Sequence, residues 1–191
     1  MNKKDLMNNE KILNIYIQNE INEIIDYAYK FDVSEKQDSK VIAYLVENAD
    51  DSNYYDLYLQ ADGIIYLNTD SRAYFANMNY LKSIDNIEGL DTSNVTDMSY
   101  MFSHTGYNST NLTLDVSNFD TSNVTNMDGM FSYTGYSNPN FTLDVSNFDT
   151  SNVTNMGAMF MCTGYNSTIF TLEVSNFNTS KVINMYHMFL N

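Results

Sequence analysis

The feature that most constrains this chain is a self-similar string that recurs at a constant interval through its second half. LDTSNVTDMSYMF begins at Leu90, FDTSNVTNMDGMF at Phe119, FDTSNVTNMGAMF at Phe148 and FNTSKVINMYHMF at Phe177. Between these strings lie NLTLDVSN, NFTLDVSN and IFTLEVSN, preceded by the turn strings TGYNST, TGYSNP and TGYNST that begin at Thr105, Thr134 and Thr163. A unit this short cannot bury its own apolar face, so such units are expected to stack around one continuous core.

Local patterning assigns a form to each part of the repeat. In T-L-D-V-S-N the apolar residues alternate: Leu114 and Val116, Leu143 and Val145, Leu172 and Val174 point one way, and Asp115, Asp144 and Glu173 point the other. The pattern predicts one short strand per repeat. In V-T-N-M-x-x-M-F the apolar positions fall three or four apart, which predicts a short helical turn with Val124, Met127, Met130 and Phe131 on one face. Gly106, Gly135 and Gly164 supply the permissive backbone that ends it. The asparagines at 94, 123 and 152, and at 118, 147 and 176, are placed to bond backbone groups of bends and of neighbouring coils.

The segment 1–83 does not repeat. Leu13, Ile17, Ile21, Ile24, Ile25, Ala28 and Tyr29 recur at helical spacing, which predicts an amphipathic helix over 5–31. After a polar linker at 32–40, VIAYLVE, YYDLYLQ and GIIYLN predict a three-stranded antiparallel meander over 41–68, with Asp62-Gly63 as its hairpin turn. The fold expected is α+β: a leucine-rich-repeat-like solenoid over 84–191, three full repeats and a final half-repeat, with residues 1–83 as an N-terminal cap. The run F-D-T-S-N-V-T-N-M-x-x-M-F followed by T-L-D-V-S-N resembles the BspA-like leucine-rich repeat family of bacterial surface proteins, and Asp56 to Leu90 looks like its usual lead-in. That resemblance implies a solenoid with a role in adhesion or binding, and it brings no catalytic residues.

Charge narrows function. The 24 acidic and 9 basic residues give a formal charge of -15, which argues against direct binding of phosphate backbones. Only Lys181 is basic from residue 91 onward. One cysteine, Cys162, forms no internal disulfide, and His104 and His187 sit at non-equivalent repeat positions with no paired nucleophile. Neither a catalytic constellation, a cofactor motif nor a metal site is read. No stretch of about 18 apolar residues marks a membrane span. Asn8, Asn9, Glu10 and Lys11 interrupt the place of a signal-peptide core, so a cytoplasmic location is expected if Met1 is the native start, and a cell-surface one if a signal precedes it.

Two columns stand out as candidate partner contacts. Asp115, Asp144 and Glu173 form an acidic row whose plainer role is to be outward polar positions. Tyr107, Tyr136 and Tyr165 form an aromatic column, with shielding of the neighbouring core edge as the alternative. Asp91, Asp120 and Asp149 read as turn-closing residues. A non-enzymatic protein-binding module is the expected function. The alternatives are an acidic inhibitor, of the phage-encoded kind, occupying the basic channel of a nucleic-acid enzyme, and a surface adhesin. Met188-Phe189-Leu190-Asn191 leaves the last repeat uncapped, which points to a homodimer through that end.

Overall fold

The computed structural model describes residues 11–33 and 40–191. Its strands are β1 Ile12–Gln18, β2 Tyr29–Asp32, β3 Val41–Glu47, β4 Tyr55–Ala61, β5 Ile65–Tyr66, β6 Ser83–Asp85 and β7 Leu90–Asp91, with a 3-10 turn at Ile87–Gly89. Five of them form a mixed sheet in the order β2-β3-β4-β1-β6, and β5 and β7 pair separately in parallel. Among the described residues there is no α-helix.

The expected N-terminal helix is therefore corrected to a strand. Ile15 and Ile17 are buried while Tyr16 and Gln18 lie half-buried on the other side, a strand alternation in a β-branched and aromatic run. Leu13 and Ile17 satisfy helical and strand spacing alike, but Ile21 and Ile25, which would complete the helix face, are exposed. Pairing decided the matter, since β1 lies between β4 and β6, parallel to both. The part of that helix before residue 11, and most of the linker at 32–40, lie outside the described residues. The meander is also corrected. Strands β3 and β4 pair antiparallel as expected, but Gly63, with φ +99°, turns the chain away, and β5 pairs with β7 instead of β4.

The leucine-rich-repeat solenoid of strand plus helical turn is overturned in the repeats as well. No residue of T-L-D-V-S-N belongs to a strand, although Leu114, Val116, Leu143 and Val145 are buried as the alternation requires. The segment V-T-N-M-x-x-M-F is a chain of tight turns. Within it and just after it Met101 donates to Met98, Ser103 to Tyr100 and Thr105 to Phe102, while the N–H groups of Met98, Tyr100, Phe102 and His104 donate to carbonyls of the next coil. A helix cannot form because Tyr100 and His104 hold φ near +56° and +59°, the left-handed value that the third position of a type II turn demands.

Successive coils stack in parallel register through bridges Asp70↔Asp97, Asp97↔Asn126, Asn126↔Asn155 and Asn155↔Asn184. Inside the stack Phe75, Phe102, Phe131, Phe160 and Phe189 pile ring on ring at centroid spacings of 5.3, 5.5, 5.8 and 5.9 Å. One hydrophobic core runs from Ile12 and Ile15 of the sheet through this column to Met188. Polar side chains seal the coils to one another. The hydroxyls of Thr105, Thr134 and Thr163 donate to the carbonyls of Phe75, Phe102 and Phe131, at 2.7–2.8 Å. Asn123 and Asn152 donate to Ser93 and Ser122, and Asn147 and Asn176 to Ser117 and Ser146.

The bridge at Asp70 reveals a coil that the recurring string does not mark. T-D-S-R-A-Y-F at Thr69 keeps only Thr, Asp and Phe of T-D-M-S-Y-M-F at Thr96, and the interval between the two is slightly shorter than that between the later repeats. Its backbone is nonetheless the same, with Ala73 and Asn77 at φ +54° and +60°. It continues from the sheet into the repeats.

Candidate interaction face

The T-G-Y corner is where the repeat turns its aromatic residues outward. Gly106, Gly135 and Gly164 hold φ of +62°, +60° and +58°, which places the following tyrosine at the same point of each coil. Tyr107 and Tyr136 stack at 4.7 Å with planes 16° apart, and Tyr136 and Tyr165 at 4.9 Å and 3°. The first two rings are half-buried and Tyr165 is exposed. Because their faces are spent on one another, the column presents ring edges and phenol oxygens to solvent.

A second column runs beside the first. His104 stacks on Tyr133 at 4.7 Å, Tyr133 lies 6.1 Å from Tyr107 and 5.9 Å from Tyr136, and Cys162 continues the row at the third coil. The constant spacing of 104, 133 and 162 marks one repeat position in the sequence, where a His, a Tyr and a Cys read as ordinary variation with no shared role. All three occupy left-handed backbone, φ +59°, +58° and +52°. Holding an L-residue there costs about 1–2 kcal/mol. Burial pushes the His104 imidazole below its ordinary value of 6.5, and its Nδ1 sits 3.0 Å from the Ser103 hydroxyl. A hydrogen bond with Cys162 and the charge of that residue push the Tyr133 phenol up. Burial, then the neighbouring Tyr107 and Tyr165 phenols, raise Tyr136.

The acidic row is differently built. Asp115, Asp144 and Glu173 are all exposed, and each carboxylate accepts the N–H of a serine just downstream, from Ser117, Ser146 and Ser175 at 2.8–2.9 Å. Those serines' hydroxyl and N–H groups hold all three carboxyls below their usual range. At Asp115 the opposing field of Asp144 is the weakest contribution, so local hydrogen bonds outweigh repulsion along the row. Asp91, Asp120 and Asp149 close their turns in the same way on Ser93, Ser122 and Ser151. The carboxylates are thus fixed negative points tied to their own backbone.

Among the described residues no three His, Cys, Asp or Glu side chains are grouped to hold a metal ion, and no helix is long and apolar enough to cross a membrane. A cleft of about 550 Å³ opens where the sheet meets the first coil, lined by Gln18, Asn19, Glu20, Asn22, Asn86 and Glu88 among others. It brings together amides and the two carboxylates of Glu20 and Glu88.

Residues 69–191 match a family model described as "Mycoplasma protein of unknown function, DUF285". The match opens at Thr69, whose carbonyl receives the N–H groups of Thr96 and Asp97 of the next coil. No curated protein and no solved structure matches the chain.

Proposed function

We propose that this chain, which belongs to the DUF285 family, is a non-enzymatic protein-binding module whose contact face is the paired aromatic column at the T-G-Y corner. The observation that carries the reading is the juxtaposition of Tyr107, Tyr136 and Tyr165 with His104 and Tyr133, all within 6.1 Å centroid distance of a neighbour. Stacking locks the rings before a partner arrives, so little side-chain entropy is lost on contact. Large side chains at 104 and 133 also stand at left-handed positions where glycine would relieve the backbone. Fixed carboxylates at Asp115, Asp144 and Glu173 favour a partner with a basic surface.

The test compares immobilised wild-type chain with two triple variants, Tyr107→Ser/Tyr136→Ser/Tyr165→Ser and Asp115→Lys/Asp144→Lys/Glu173→Lys, each first shown to keep its circular-dichroism spectrum. Partners held by the wild type are expected to be lost from the tyrosine variant and weakened by charge reversal. Equal retention by the tyrosine variant removes the aromatic face from the account.

A second reading, an acidic inhibitor seated in the basic channel of a nucleic-acid enzyme, draws on one observation. Two parallel rows of carboxylates, at 91, 120 and 149 and at 115, 144 and 173, hang on a region whose one basic residue is Lys181. Inhibition that survives the tyrosine changes, falls steeply with salt and is shared among many carboxylates would favour it.

A further inference from the structure

A smaller cleft, of about 240 Å³, opens where the turn between β3 and β4 meets the first T-G-Y-N-S-T turn, beside Tyr80 and Lys82. Both of its loops are held from inside the fold. The buried Asn48 accepts the N–H groups of Asp50 and Asp51 through Oδ1, each at 3.1 Å, and donates through Nδ2 to the two Asp56 carboxylate oxygens at 3.0 and 3.1 Å. On the other loop the buried Ser109 hydroxyl donates to Asn111 Oδ1 at 3.2 Å, and the Asn108 N–H to the Asn79 carbonyl at 2.8 Å. Tyr54 and Tyr80 meet edge to face, centroids 5.4 Å apart and planes at 61°. Such a pair, unlike the stacked Tyr107 column, does not spend both ring faces on itself. The polar groups these loops carry are unspent. Among the described residues the Asp50 carboxylate, the Lys82 ammonium, the Asn108 amide and the Thr110 hydroxyl enter no hydrogen bond or ion pair of the fold, although Lys82 is half-buried in a chain with 24 acidic residues. In the repeats, by contrast, carboxylates close on serines and asparagines bind the neighbouring coil.

We propose that this cleft is a binding site for one neutral saccharide ring. The chemistry of its lining selects that class. A hydroxyl both donates and accepts, so a ring bearing several of them satisfies the acceptor Asp50 and the donors Lys82 and Asn108 at once. Its C–H face packs against a tyrosine ring. A simple anion would meet the carboxylates of Asp50 and Asp51. A metal cation would meet Lys82 and fewer oxygens than it requires. A wholly apolar ring would cover these polar groups and leave them unpaired, which is costly. A bare zwitterion would engage the two charges and waste the neutral Asn108 and Thr110. Size sets the extent: the cleft lies below the roughly 300–1,000 Å³ of pockets for drug-sized ligands, so it takes a single ring.

The experiment is saturation-transfer NMR of the full chain with the methyl glycosides of glucose, galactose, mannose, N-acetylglucosamine and N-acetylgalactosamine, each at millimolar concentration. At least one is expected to receive saturation, chiefly on the C–H protons of one ring face. Asp50→Ala and Lys82→Met change side chains without a partner among the described residues, so each should keep the wild-type melting temperature. Each should weaken binding of that glycoside about tenfold or more. No transfer to any of the glycosides, an affinity that both variants leave intact, or tighter binding of glycine or inorganic phosphate than of every glycoside would overturn the proposal. The readout needs no protein partner and neither substitution alters Tyr107, Tyr136 or Tyr165, so its outcome is separate from that of the aromatic face.

Discussion

Two glycines with one backbone conformation and different neighbours give the sharpest handle on how the coils are packed. Gly135 and Gly164 have φ of +60° and +58°, so alanine at either site carries the same left-handed strain, about 1–2 kcal/mol. Their surroundings differ. A Cβ on Gly135 would lie 2.6 Å from Cγ and Cδ2 of Phe141, a fully buried ring stacked on Phe170. On Gly164 the nearest atoms are those of Phe170 at 3.0 Å, and that ring is half-buried at the more open end. Overpacking a closed site adds about 1–3 kcal/mol, which a movable neighbour largely avoids. Gly135→Ala is thus expected to destabilise by about 2–5 kcal/mol and Gly164→Ala by about 1–2 kcal/mol. In a domain of this size the melting temperature should fall by roughly 10 °C in the first case and roughly 4 °C in the second. Urea titrations followed by circular dichroism, with both variants against wild type, measure the gap. Equal losses would show that backbone strain alone matters and that the Phe141 contact is not tight; two neutral variants would refute the turn geometry itself.

The other expectations concern the ring column and acid stability. Phe131→Ala, which removes a buried ring stacked on both sides, should destabilise by about 3–5 kcal/mol, while Phe189→Ala at the exposed end should change stability by less than about 1 kcal/mol. His104 is held below its ordinary 6.5, so above that pH both states are neutral and it contributes nothing. As pH falls through that value the unfolded chain takes the proton first and stability declines. Melts at neutral and mildly acidic pH should show this decline in wild type and less of it in His104→Tyr; identical slopes would refute it. The Ser-bonded carboxylates Asp115, Asp144 and Glu173 act lower. Their stabilisation is complete above the ordinary carboxylate range and is lost as pH falls through their depressed folded values.

Much of the repeat region was legible because the repeat is nearly invariant. The inward Val, Met and Phe of the inner coils are buried, and Asn123, Asn147, Asn152 and Asn176 do bind neighbouring coils, since both follow from which positions recur. What did not follow was backbone form. Apolar spacing of three and four is shared by a helical turn and by successive β-turns, and only the left-handed φ at Tyr100, His104 and Tyr133 separates them, a choice stabilised by bonds to the next coil. Around β1, Leu13 and Ile17 fit both periods, and the strands that decided between them, Tyr55–Ala61 and Ser83–Asp85, lie far downstream in the chain. Of the candidate face, the Tyr107 column was visible from its spacing. The equivalence of His104, Tyr133 and Cys162 was visible too, but their changing chemistry reads as ordinary variation, and only the ring contacts make a column of them.

All of these columns depend on one claim, that residues one repeat apart sit on neighbouring coils in parallel register. The single cysteine makes this directly measurable. Tyr133 donates its N–H to Met161, which places position 133 beside Cys162 on the next coil, whereas Tyr107 is two coils away. Coils about 4.8 Å apart put equivalent Cα atoms within disulfide range, and twice that distance lies outside it. Under mild oxidation Tyr133→Cys should form an internal disulfide with Cys162, identified by peptide mass, and Tyr107→Cys should not. Two free thiols in Tyr133→Cys, or equal crosslinking from position 107, would contradict the stacked-coil register on which the proposed face rests.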